Sequence, residues 1–260
     1  MGSSVMWRAV AGSTAGTAHV RRGVPGQDCC LLELFGDDGA ILVAIGADGA
    51  GSASHGQRGA ELACTRMLAH IIWYLDWHDN ALERLNGDII RKWVKWTRED
   101  LQLEASYLDV PARSLACTLL GVVASRFRTI CFQIGDGAIV LRTVSEPLHV
   151  VFWPQSGEYA NMTCFLTDAA ALQSLDVYVV DEEVFDVALF TDGLQRLALQ
   201  FSTESVHLPF FSPMFDQLAH EPAGRSAALE QQLLCFLDSM AVNERTDDDK
   251  TLILATRRVE

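Results

Sequence analysis

Four short acidic turns hold the residues of this 260-residue chain best suited to chemistry: Ile45-Gly46-Ala47-Asp48-Gly49-Ala50-Gly51, Ile134-Gly135-Asp136-Gly137, Phe190-Thr191-Asp192-Gly193 and Thr246-Asp247-Asp248-Asp249-Lys250-Thr251. Each borders an apolar or β-branched run. An aspartate fixed at a strand terminus beside glycine is a rigid, water-accessible oxygen ligand for a hard cation. One such turn is no more than a hairpin dipeptide. Four of them, spread over most of the chain, predict carboxylates gathered at one edge of a sheet, where they would hold divalent cations.

The bulk composition agrees with a cation site. The formal net charge is -14, from 34 acidic and 20 basic residues, which argues against nucleic acid as a partner and favours an acidic, cation-attracting cleft. Hydrophobic residues at 49% and charged residues at 21% are ordinary for a globular protein. No secretory pattern, myristoylation pattern or membrane-length apolar run is visible, so a cytoplasmic location with no membrane association is expected. The seven cysteines lack a C-x-x-C pair and read as reduced and mostly buried.

The elements that must position the turns follow from periodicity. Strands are expected over Trp7 to Thr17, Gln27 to Phe35 and Ala40 to Ile45, the last two joined by a hairpin at Gly36-Asp37-Asp38-Gly39. Helices are expected over Gln57 to Trp77 and about Ala81 to Tyr107, the second with a possible interruption at Gly87. Leu115 to Ala124, Thr129 to Ile134 and Ala138 to Arg142 read as an antiparallel meander. Val177 to Val180 and Phe185 to Phe190 are strands, and Asp192 opens a helix through Leu199. Ser202 to Pro213 reads as loop, Ala227 to Met240 as helix and Thr251 to Thr256 as a closing strand. The tryptophans Trp73, Trp77, Trp93 and Trp96 are expected to pack inward. No linker or repeat divides the chain, so residues 1–260 are read as one domain.

In this order the motifs resemble the metal-dependent protein phosphatases of the protein phosphatase 2C family, and its bacterial branch in particular. Gln27-Asp28 looks like the N-terminal acidic pair, Asp48-Gly49-Ala50-Gly51 like the D-G-x-G turn and Gly135-Asp136-Gly137 like the G-D-S/G turn. Thr191-Asp192-Gly193 looks like the S/T-D-G turn, and Asp248-Asp249-Lys250-Thr251 like the terminal D-D/N-x-T. The resemblance implies an α+β fold: a four-layer α-β-β-α sandwich of two mostly antiparallel sheets flanked by helices. It implies two Mn²⁺ or Mg²⁺ ions, with a third possible. Asp48 would bridge two of them, the Gly49 carbonyl would ligate one, Asp192 and Asp248 would complete the set, and Asp136 would help hold the third. Asp28 would steady a metal-held water. Asp28 and Asp48 are thus the expected catalytic pair, and Asp247 and Asp249 are expected to be solvated neighbours.

The implied activity is serine/threonine protein phosphatase chemistry. Two cations about 3.5–4 Å apart acidify a bridging water, and the resulting hydroxide attacks phosphorus in line. Phosphorylated proteins would be the substrates, and a serine/threonine kinase pathway the counterpart. Alternative readings are a pseudophosphatase that binds metal or phosphopeptide without turnover, and a phosphatase for small phosphate esters. The sequence departs from the family where some members carry a histidine after the first Asp-Gly, since this position is Ala50; His55 or water would then protonate the leaving group. Arg21, Arg22 and His19 all stand near the place of the family's phosphate-binding arginine. The irregular stretch from Ser145 to Gln173, including Gly157-Glu158-Tyr159-Ala160-Asn161-Met162-Thr163, is the expected determinant of substrate choice.

Overall fold

The computed structural model describes residues 6–36, 39–154 and 163–258. The chain opens with β1 (Arg8–Thr14), α1 (Thr17–Arg22), β2 (Cys29–Phe35), β3 (Ile41–Ala47), α2 (Gly56–Trp77) and α3 (Gly87–Tyr107). It continues through β4 (Leu119–Ala124), β5 (Thr129–Ile134), β6 (Ala138–Thr143), β7 (His149–Val150), β8 (Asp176–Val180) and β9 (Val184–Phe190). After α4 (Gln195–Ala198) come β10 (Leu199–Gln200), β11 (Ser205–Val206), α5 (Leu208–Ala219), β12 (Gly224–Arg225), α6 (Ala227–Leu237), α7 (Met240–Asn243) and β13 (Lys250–Thr256).

Among the described residues two large sheets form, in the orders β12-β1-β13-β9-β6-β7 and β2-β3-β4-β5-β8, beside a small β10-β11 pair, all antiparallel except the short β1–β12 pair. Their strands are apolar on both faces because each sheet is covered twice. In β3, Ile41, Val43 and Ile45 face α2 and α3, whereas Leu42 and Ala44 face the other sheet. In β13, Leu252 and Leu254 pack toward α5 and α6, while Ile253 and Ala255 enter the space between sheets. The period-two alternation of a strand thus divides its side chains between neighbouring layers. Three apolar clusters fill three interlayer spaces, giving the expected α-β-β-α sandwich.

Several local expectations change. β6 does not continue the meander: it leaves β5 at Gly135-Asp136-Gly137 and joins the other sheet beside β9. Gly135 has φ +107°, and a Cβ there would lie 2.5 Å from the Thr118 side chain. The Asp136 turn is therefore a corner between sheets rather than a hairpin. α3 starts at Gly87, because the Asn86 side chain accepts from the Asp88 and Ile89 amides and caps it there. Residues Leu208–Ala219 are helical despite Pro209 and Pro213. Pro209 sits in the first turn, where no N–H is needed, and Phe211, Phe215 and Leu218 bury one face. Of the four tryptophans only Trp93 is fully buried. Trp73 and Trp77, one turn apart, stack on each other at 5.9 Å on the outer face of α2, while Ile71, Tyr74 and Leu75 turn inward. The cysteines are free, but Cys235 is exposed. Asp37 and Asp38 of the expected hairpin, and Gly157 to Met162, lie outside the described residues.

Candidate metal centre

The acidic turns meet where the ends of the two sheets come together, not along the edge of one. Asp48 follows β3 of one sheet, Asp136 stands at the corner between sheets, and Asp192 and Asp248 flank β9 and β13 of the other. The Asp48 main chain is locked to Thr118: its N–H donates to Thr118 Oγ1 at 2.9 Å, and its carbonyl accepts from Thr118 N at 2.8 Å. Gly49 is pressed against the start of α2, where a Cβ would lie 2.4 Å from the Gly56 carbonyl carbon. The Gln27 carboxamide, oriented to satisfy both its ends, donates to the Gly49 and Ala50 carbonyls at 3.0 and 3.2 Å. A carbonyl has a second lone pair, so Gly49 keeps one for another partner.

Asp28 is held from the opposite sheet. Its Oδ2 accepts from Thr191 Oγ1 and Thr251 Oγ1, each at 2.7 Å, and Thr251 Oγ1 also lies 2.8 Å from Ser13 Oγ. Oδ1 of Asp28 is buried with no donor among the described residues. Asp48 stands close enough to Asp28 for the two carboxylates to repel one another when both are charged. Sequence reasoning found Thr191 and Thr251 within motifs but not this role, because their partner is 163 and 223 positions away.

Asp249 departs from expectation. It is buried, not solvated: Oδ1 accepts from Gly16 N at 2.6 Å and His19 Nδ1 at 2.8 Å, and Oδ2 from Gln27 N at 2.6 Å. It ties the segment leading to Asp28 onto the start of β13, and it occupies His19. Asp247 is exposed, as expected. Asp136 Oδ2 accepts from Thr163 Oγ1 at 2.6 Å, and its carbonyl from Gln195 Nε2.

Electrostatics mark the cluster. Burial pushes Asp28 up to about 6, although the Thr251 and Thr191 hydroxyls pull it down. Burial, then the charges of Asp136, Asp248 and Asp28, pushes Asp192 up to about 7. Asp48 is held well above the usual carboxylate range by burial and then by the Asp28 and Asp192 charges. Burial also raises Asp248. A folded state that keeps protons the unfolded chain releases loses stability as pH rises through these values. The metal-free protein should therefore melt at lower temperature as pH climbs from about 4 to above 7. Asp28 alone, moved from 3.8 to about 6, would account for roughly 3 kcal/mol, or several degrees. Thermal melts in EDTA across that range check this. A flat or rising profile, or the same slope in Asp192→Asn, would contradict it.

Asp136, Asp192, Asp247 and Asp248 line a cleft of about 480 Å³, together with Arg196 and Arg245. A second cleft is lined by His19, Arg22, Gln27, His55 and Arg58. His55 begins α2 with Nδ1 2.9 Å from Ser54 Oγ. A smaller groove between α5 and α6, about 180 Å³, is lined mainly by apolar side chains and is remote from the carboxylates.

A sequence profile of the protein phosphatase 2C family matches residues 15–238. This chain belongs to that family. It is 40% identical over 251 residues to serine/threonine-protein phosphatase 3 of Escherichia coli (strain K12), covering 96% of this chain and 98% of that protein. Its fold matches the S. agalactiae serine/threonine phosphatase with TM-score 0.63 at 17% identity, over 97% of this chain and 100% of that one. It also matches a serine/threonine phosphatase from Staphylococcus aureus with TM-score 0.61 at 14% identity, over 98% and 97% of the two chains.

The family is metal-dependent, and the donors here fit a hard cation. They are all oxygens: aspartate carboxylates and the Gly49 carbonyl. Asp28 Oδ1 is orphaned, and the carboxyls repel one another in the absence of a cation. No three of the described His, Cys, Asp or Glu side chains already converge in a ready cage. Such a set suits an ion that keeps much of its water, as Mg²⁺ does.

Proposed function

We propose that this chain is a cytoplasmic serine/threonine protein phosphatase that hydrolyses phosphoserine and phosphothreonine monoesters at the Asp28–Asp48–Asp192–Asp248 cluster, using Mn²⁺ or Mg²⁺. The observation that carries the proposal is the mutual repulsion, in a family member, of carboxylates carried by two sheets, Asp28 and Asp48 on one and Asp192 and Asp248 on the other. Asp48, the Gly49 carbonyl, Asp192 and Asp248 would hold two ions, and Asp136 with Asp192 would serve a third. When bound, the ions supply Lewis acidity that makes water nucleophilic at neutral pH and offsets charge on the phosphoryl oxygens.

The chain's own residues do the rest. Asp28, clamped by Thr191 and Thr251, offers Oδ1 to accept a hydrogen bond from the attacking water and so orient it. Attack on phosphorus breaks the bond to the serine or threonine oxygen, which must gain a proton as it leaves. Ala50 supplies none and His55 lies in the neighbouring cleft against Ser54, so water in the open cleft is the proton source. The core shared by both sheets supports reading residues 1–260 as one domain. None of the described helices is long and apolar enough to cross a membrane. A protein kinase must supply the substrates.

The test is hydrolysis of a phosphothreonine peptide and of p-nitrophenyl phosphate with Mn²⁺, Mg²⁺ or EDTA. Both should turn over with either metal and neither in EDTA. No metal-dependent turnover would sink the proposal, and turnover of the small ester alone would reassign the substrate.

A further inference from the structure

The cleft beside the carboxylates has two cationic side chains in its lining, Arg196 and Arg245. Arg196 lies on α4, four residues after Asp192, and Arg245 follows α7, three residues before Asp248. Both are exposed. Neither guanidinium makes a hydrogen bond or ion pair with another described residue, Asp136, Asp192, Asp247 and Asp248 included. Elsewhere in this acidic chain Arg58 pairs with Glu104, Arg128 with Asp181, Arg142 with Asp186 and Arg225 with Glu230, whereas Arg21, Arg84 and Arg113 make no ion pair among the described residues. What sets Arg196 and Arg245 apart is their place: two unpaired arginines in the lining of a cleft that also carries four aspartates.

We infer that Arg196 and Arg245 select phosphoprotein segments carrying a second anionic group, a carboxylate or another phosphate, close to the phosphorylated residue. This rests on the phosphatase reading above. A cleft of about 480 Å³ is of ligand-pocket size and admits more than a single phosphoryl group. Pro154 and Phe201 share its lining and offer apolar surface to a peptide chain. The scissile phosphate belongs on the carboxylate side with the cations, which leaves the guanidiniums for a neighbouring anion. Guanidinium groups suit both carboxylates and phosphates through their paired N–H donors. They also oppose the repulsion that an anionic segment meets from a chain of net charge -14.

The experiment compares three substrates in metal-loaded protein: a phosphothreonine peptide with neighbouring aspartates, the same peptide with neutral neighbours, and p-nitrophenyl phosphate. We expect kcat/KM to favour the acidic peptide by roughly tenfold, and the preference to shrink as salt is raised. Arg196→Ala with Arg245→Ala should abolish that preference. Arg196→Glu with Arg245→Glu should reverse it in favour of a peptide with basic neighbours, a gain that a misfolded variant cannot give. Equal kcat/KM for both peptides in the wild type would overturn the inference. So would an Ala pair that keeps the preference, or one that slows all three substrates by the same factor, which would instead place the arginines on the scissile phosphate. Equilibrium binding of the fluorescent peptides reads the same preference without turnover, so failure of the phosphatase reading would be seen separately.

Discussion

Replacing Asp48 with Asn is expected to lower metal-dependent phosphatase turnover by about 10³-fold or more while the fold survives. An amide has the carboxylate's shape but lacks the charge with which Asp48 would hold cations. The fold should tolerate it because the bonds that fix this position, to Thr118 N and Oγ1, use the Asp48 main chain. One fewer charge also removes the repulsion from Asp28, Asp192 and Asp248 that adds to burial in holding Asp48 above the ordinary carboxylate range. The metal-free variant should therefore melt no lower than wild type near pH 8, and the rise in melting temperature on adding Mn²⁺ should be much reduced. Asp192→Asn should behave in the same way. Steady-state rates and thermal melts with and without Mn²⁺ decide the matter, and wild-type rates in either variant would remove that residue from the ligand set.

Gly193→Ala should cripple the enzyme through geometry rather than charge. An added Cβ would lie 2.0 Å from the Asp249 carbonyl oxygen and 3.4 Å from Asp248 Cβ. The approach is to backbone, so no side chain can swing away. The turn bearing Asp192 must then separate from the start of β13, which bears Asp248. Overpacking of this kind costs about 1–3 kcal/mol, and moving ligands by about 1 Å costs roughly a hundredfold in rate. Gly51, whose added Cβ would meet nothing within 4 Å, is the matched control. Gly51→Ala should lose little stability and little activity. Equal activity in the two alanine variants would show that the close approach at Gly193 does not set the site.

Much of the architecture was legible because strand and helix periodicity is written locally. The strand Thr129–Ile134 and the end of α2 at Trp77 stand where the pattern puts them. The misread places are those where distant packing overrides local cues. Prolines suggest a loop over Ser202 to Pro213, yet from Leu208 the burial of Phe211, Phe215 and Leu218 supports a helix. The three strands after Leu115 look like one meander, yet β6 belongs to the other sheet. Nothing adjacent to Ala138 encodes that exchange except Gly135, whose positive φ allows the corner.

The amino-acid sequence by itself determined the kind of chemistry. It set oxygen donors beside glycines at strand ends, in an order that belongs to one family, because ligand type and turn preference depend on a residue and its immediate neighbours. Only the tertiary structure decided which carboxylates meet and what state each is in. Asp248 and Asp249 are adjacent in sequence, yet one lines the open cleft and the other is buried as a brace for Gly16, His19 and Gln27. Asp28 meets hydroxyls far along the chain only once the two sheets stack, and Arg196 and Arg245 are brought to one cleft by the pairing of β9 with β13. Burial and mutual repulsion arise from that stacking, and it is they that turn a set of acidic turns into a site suited to cations.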